Sequence, residues 1–129
     1  MAIEYRISLG GDYEFNYRIE LERVYDRERI PAAPAWTRLE YQQCSNCPLG
    51  REEYSHCPAA LDLHRVIEDF RGLPAFQRAS VWVRTPERDY HKETGLEEGL
   101  RALLGVIMAT SACPMLAKLK PMAHNHLPF

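Results

Sequence analysis

The sequence predicts an α+β fold: a small antiparallel sheet of two hairpins plus a strand, two helices on one face, and a cysteine-ligated metal knuckle. Three observations carry this. Apolar residues alternate with polar ones in several short runs separated by turn residues, the pattern of half-buried strands. Two other segments carry helical periodicity with start and stop signals. Three of the four cysteines fall within a polar stretch that has little else to hold it together. Helices alternate with hairpins, not with single strands, so a parallel doubly wound sheet is set aside. At 129 residues, 46% hydrophobic and 26% charged, the chain reads as one domain, 1–129, with continuation or partner docking expected after residue 114.

The first hairpin rests on Ile3, Tyr5, Ile7 and Leu9, then Tyr13, Phe15, Tyr17, Ile19 and Leu21, with Gly10-Gly11-Asp12 as the turn. Glycine supplies positive φ there at no steric cost. Residues 25–35 contain Pro31 and Pro34 and read as an extended connector. Trp36, Leu39 and Tyr41 suggest a third strand over 36–43, although the phase slips between Trp36 and Leu39. A helix over 58–71 follows from Pro58 at its first position, apolar Ala59, Leu63, Val66, Ile67 and Phe70, and Gly72 after its end.

Val81-Trp82-Val83, a Thr85-Pro86-Glu87-Arg88 turn and Asp89–Glu93 give the second hairpin. Thr94 and Glu97 have the spacing of a capping box. Leu96, Leu100, Leu103, Leu104, Ile107 and Met108 then form one stripe, predicting a helix over 95–109. A short turn is expected at 114–120, stopped by Pro121.

Cys44 and Cys47 form C-x2-C, which places two sulfurs on one tight turn. Cys57 lies at the mouth of the first helix and Cys113 just past the end of the second. Tetrahedral zinc takes four such ligands, and the two helices would then meet at the metal. An iron–sulfur cluster is the alternative occupant, because thiolates hold those too. The competing readings are buried apolar thiols, a disulfide framework and a C-x2-C redox centre. His56 adjoins Cys57 and is weighed as a substitute ligand. His124 and His126 form a His-x-His pair that could present two ligands on one side of an extended strand.

Sixteen basic against eighteen acidic residues give a net charge of −2, which argues against nucleic acid as a partner. No apolar run reaches the ~20 residues of a membrane span, and the start lacks a signal-peptide pattern. The expectation is a cytoplasmic protein. No phosphate loop, dinucleotide fingerprint or nucleophile elbow occurs. No nucleophile has an identifiable base, so no catalytic activity is assigned.

Cys44-Ser-Asn-Cys47-Pro-Leu, His56-Cys57-Pro, Met108-Ala-Thr-Ser-Ala-Cys113-Pro and Leu119-Lys-Pro-Met-Ala-His-Asn-His126-Leu-Pro together resemble an uncharacterised bacterial family, a domain of unknown function. The likeness spans the chain. It implies no stated activity, but it groups all four cysteines in its motifs and so supports one shared site. His126 falls on its pattern, whereas residue 124 is not usually histidine there. The resemblance also implies that members continue past residue 129 into a helical part.

Three functional classes follow. The first is a metal-stabilised binding or assembly module. The second is a redox protein with an iron–sulfur cluster or reactive C-x2-C thiols. The third is a metalloenzyme using cysteines plus His126. Leu116, Leu119, Met122, Leu127 and Phe129 are the expected contact with a protein partner or second copy; the alternative is that they fold back onto the domain.

Overall fold

The computed structural model describes residues 1–11 and 13–129. Strands β1 (Ala2–Gly10) and β2 (Tyr13–Glu20) form the first hairpin, and β3 (Arg78–Arg84) and β4 (Asp89–Gly95) the second. The hairpins join through β1 and β3 into one antiparallel sheet ordered β2-β1-β3-β4. Gly10 and Gly11 have φ of +94° and +58°, the turn conformation glycine was expected to supply. Asp12, the third residue of that turn, lies outside the described residues.

The alternation in sequence becomes two faces. Ile3, Tyr5, Ile7, Tyr17, Ile19, Val81 and Val83 point inward and are buried. Helices α1 (Pro58–Phe70) and α2 (Leu96–Ala109) cover that face, contributing Val66, Phe70, Leu103 and Val106 to the same core. The opposite face carries Glu4, Arg6, Arg18, Trp82 and Arg84. There the register places Arg6, Trp82 and His91 side by side. The Trp82 ring stacks on His91 at 4.6 Å, and the Arg6 guanidinium sits 4.2 Å from its centre.

Four local expectations are corrected. Residues 36–43 form no strand: Ala35–Thr37 is one turn of 3-10 helix, and the only pairing there is a single bridge from Arg38 to His56. The Thr37 hydroxyl donates to the Pro34 carbonyl at 2.6 Å, a local bond that competes with extended pairing. The connector is not fully extended either. Arg27–Ala32 is a 3-10 helix whose Asp26 side chain accepts from the Glu28 N–H. The Thr94 capping box does not form. Gly95 is the N-cap, and the free N–H groups of Leu96 and Glu97 donate instead to the carbonyls of Gln77 and Ala75. Thr94 stays in β4 and its hydroxyl donates to Glu98. Finally, the turn expected at 114–120 is a 3-10 helix, Leu116–Leu119, and Pro121 does not stop it. The proline sits in the first turn of α3 (Lys120–His124), where a missing N–H costs nothing.

The α2–sheet contact is close enough to require glycine. A Cβ on Gly99 would lie 2.8 Å from a methyl of Val81, itself fully buried. Gly99→Ala should therefore destabilise the protein by about 1 kcal/mol, because overpacking of about 1–3 kcal/mol outweighs the gain in helix propensity. Denaturant melts of the variant check the sign; an increase in stability would show that α2 lifts off the sheet freely.

Candidate functional site: the cysteine corner

The stretch from Thr37 to Cys57 is mostly exposed and irregular. Only Thr37, Leu39 and His56 are buried in it. Its backbone is pinned at two points: Cys57 N–H donates to the Thr37 carbonyl at 2.8 Å, and Leu39 N–H to the Ser55 carbonyl at 3.0 Å. His56 is enclosed between these bonds, with Nδ1 2.7 Å from the Ser55 hydroxyl and its backbone N–H donating to the Tyr25 hydroxyl. Burial and the nearby Arg38 cation hold its imidazole below the usual range. His56 therefore has a structural environment of its own.

Each cysteine is positioned by a different device. Cys47 N–H donates to the Cys44 carbonyl at 3.0 Å, closing the C-x2-C turn. Cys57 is the N-cap of α1, followed by Pro58. Cys113 follows the end of α2, its N–H donating to the Ser111 hydroxyl, while its carbonyl starts the next turn by accepting from Ala117. All four thiols are free. Burial pushes the Cys57 thiol up. The Ala60 and Ala59 N–H groups of the helix start pull the other way, and the neighbouring Cys113 and Cys44 add to the upward push. Three separate chain segments thus bring sulfur towards one corner. Among the described residues, however, no three His, Cys, Asp or Glu side chains approach closely enough to form a metal-binding group.

The histidines of the C-terminal motif go elsewhere. His126 Nε2 lies 2.5 Å from the Tyr5 hydroxyl, and His124 Nε2 lies 3.5 Å from Glu22. Tyr5 is fully buried and its phenol is pushed well above its usual range by burial; burial likewise holds His126 below its own. Burial thus disfavours the charged form of both partners. Because the folded state disfavours charged His126, this stability is complete above about pH 6.5 and declines as the pH falls below it. His126→Gln should flatten that decline in a pH series of melts; an unchanged slope would remove His126 from the account.

Of the five apolar residues named for the C-terminal contact, Leu116 is half-buried while Leu119, Met122, Leu127 and Phe129 are exposed; the neighbouring Ala123 and Pro128 are buried and His126 half-buried.

Sequence reasoning missed a polar cluster behind the corner. Arg23 donates through Nε and Nη2 to Asp62, through Nη1 to the Glu20 carbonyl and the Thr110 hydroxyl, and through Nη2 to the Ile107 carbonyl. All five guanidinium protons are used. The pair ties the end of β2 to α1 and to the C-terminus of α2, whose last carbonyls favour a cation. A signal existed: Asp62 falls three residues after Ala59 and four before Val66, inside the buried stripe, where a carboxylate needs a partner.

Among the described residues no helix is long and apolar enough to cross a membrane. No curated protein and no solved structure matches the chain. Residues 3–129 match the family described as Domain of unknown function (DUF6901), and on that coverage the chain belongs to this family.

Proposed function

We propose that the chain is a small metal-stabilised binding or assembly module, in which Cys44, Cys47, Cys57 and Cys113 take one ion. The carrying observation is that Cys57, at the start of α1, has Cys44 and Cys113 from two other segments as its charge neighbours. The composition of the corner supports this reading. Residues 44–57 bury almost no apolar surface, so hydrophobic burial cannot fix them. A four-thiolate ion can, and it would fasten the loop to both helices at once. Zinc is the proposed occupant, since it is the common closed four-thiolate centre. The exposed Met122 and Leu127 supply the contact with a protein partner or second copy.

The second reading is a redox protein with an iron–sulfur cluster or reactive thiols. In the cluster form the four cysteines hold the iron; in the thiol form the exposed Cys44 and its C-x2-C partner Cys47 carry the chemistry. Elemental analysis with a visible spectrum separates the readings. One zinc per chain without visible absorption supports the first; iron with sulfide and a broad visible band supports the second.

A further inference from the structure

The sheet ends on two open edges, β2 and β4. A strand edge carries unpaired N–H and C=O groups and invites another strand unless something blunts it. β4 is blunted by charge on both faces: His91 and Glu93 lie on the outer face, and Lys92 lies on the inner face opposite Val81. β2 has no such device on its inner face, where Tyr13, Phe15, Tyr17 and Ile19 alternate with the outer residues.

The ladder fixes which groups of β2 are free. Leu21 N–H donates to the Met1 carbonyl at 3.2 Å, and hydrogen-bonded pairs recur at every second residue of an antiparallel ladder. Ile19, Tyr17 and Phe15 therefore exchange the bonds with Ile3, Tyr5 and Ile7 of β1. The N–H and C=O groups of Glu14, Asn16, Arg18 and Glu20 point away from the sheet. The Glu20 carbonyl is taken by Arg23. Among the described residues no hydrogen bond reaches the outward backbone of Glu14, Asn16 or Arg18. Beside Tyr17, Arg18 and Ile19 the surface opens into a cleft of about 360 Å³, so that stretch of the edge is uncovered.

Two copies of this edge pair only where outward residues meet outward residues, and charge chooses among the registers that allow it. A two-fold axis at Glu14 or at Arg18 sets that residue against itself. An axis at Tyr17 sets Glu14 against Glu20, and one at Phe15 sets Glu14 against Asn16. An axis at Asn16 sets Glu14 against Arg18 of the second copy, and by symmetry does so at both ends. Phe15 then opposes Tyr17, and Tyr13, 66% exposed in the single chain, opposes Ile19. Cross-strand aromatic and opposite-charge pairs of this kind stabilise a sheet. Arg18 already bonds Glu20 through Nε and Glu4 through Nη1, and Glu14 lies 3.4 Å from Arg6. The pairing thus continues a row of alternating charge from one copy into the next.

We propose that β2 is a self-complementary edge on which a second copy of this chain pairs antiparallel about Asn16, joining the two sheets into one. The surface is separate from the cysteine corner and from the exposed Met122 and Leu127, none of which lies on β2.

Light scattering on size-exclusion fractions, over a dilution series with a thiol reductant present, measures the pairing. A dimer that dissociates on dilution is expected. Asn16→Pro should weaken it at least about ten-fold, because both bonds of the central pair are lost. The N–H of residue 16 does not bond β1, so the dilute variant should melt at an unchanged temperature. Glu14→Arg should also weaken the dimer, and adding Arg18→Glu should restore most of the loss, since the pair is then reversed; this pair of variants decides alone if proline costs folding. His91→Pro, which removes an outward N–H of β4, should change nothing. In amide exchange, protection of residues 14, 16 and 18 should rise with protein concentration while that of 15 and 17 stays constant. A monomer at every concentration overturns the proposal. So does a dimer that Asn16→Pro leaves intact and Leu127→Ser dissolves, which assigns self-association to the C-terminal residues.

Discussion

Arg23→Ala is expected to cost about 3–5 kcal/mol of stability, the range for removing one partner of a buried ion pair. Alanine would leave the Asp62 carboxylate enclosed with only Arg29 bonded to it. It would also leave the Thr110 hydroxyl oxygen without the N–H it accepts from and remove the cation from the end of α2. Asp62→Asn should cost less, because the amide keeps shape and one acceptor while the guanidinium keeps its three bonds to Glu20, Thr110 and Ile107. The double variant Arg23→Met with Asp62→Leu should recover much of the loss, since apolar replacement of a buried pair is often near neutral. Urea melts of the four proteins check the order. A loss below about 1 kcal/mol for Arg23→Ala would place the pair among ordinary surface salt bridges.

Cys57→Ser should have the larger effect if the proposed ion is bound. Structural zinc can contribute about 10 kcal/mol or more to the folding of a small domain. Serine is nearly isosteric, so packing around the α1 N-cap changes little and the loss reports on ligation. The expected results are loss of bound zinc and a large fall in melting temperature, reproduced in the unmodified chain by a strong chelator. The sheet and the α1–α2 core do not depend on the corner. Residues 38–57 should therefore lose amide protection first, while β1 and β3 keep theirs. Zinc retained in Cys57→Ser at full stability would remove Cys57 from the ligand set.

The sheet was legible because alternation has one reading when one face is buried: Tyr5 and Val83 pair inward, Arg6 and Trp82 outward. Both helices were legible from period and punctuation. What sequence missed was decided by distant backbone. The start of α2 is capped by carbonyls of residues 75 and 77, which no local motif announces. The alternation at 36–43 looked like a strand, but Ala35–Thr37 closes into a 3-10 turn held by the Thr37 hydroxyl on the Pro34 carbonyl, a local bond that the apolar spacing does not announce. Of the candidate site, the C-x2-C turn and the placement of Cys57 and Cys113 at helix ends were readable from spacing alone. The diversion of His126 to Tyr5 was not, because the two are 121 residues apart. Nor was the Arg23–Asp62 pair, in which one half lies at a strand end and the other on a helix.

The central claim is that four cysteines from three segments hold one ion. Metal content by mass spectrometry, together with a visible spectrum, on freshly purified chain kept free of oxygen and chelator, tests it most directly. The account predicts one zinc per chain, a featureless visible spectrum, and release of the metal when the four thiols are titrated. Four freely reactive thiols with no metal at all, in a protein that melts at the same temperature with and without chelator, would contradict it.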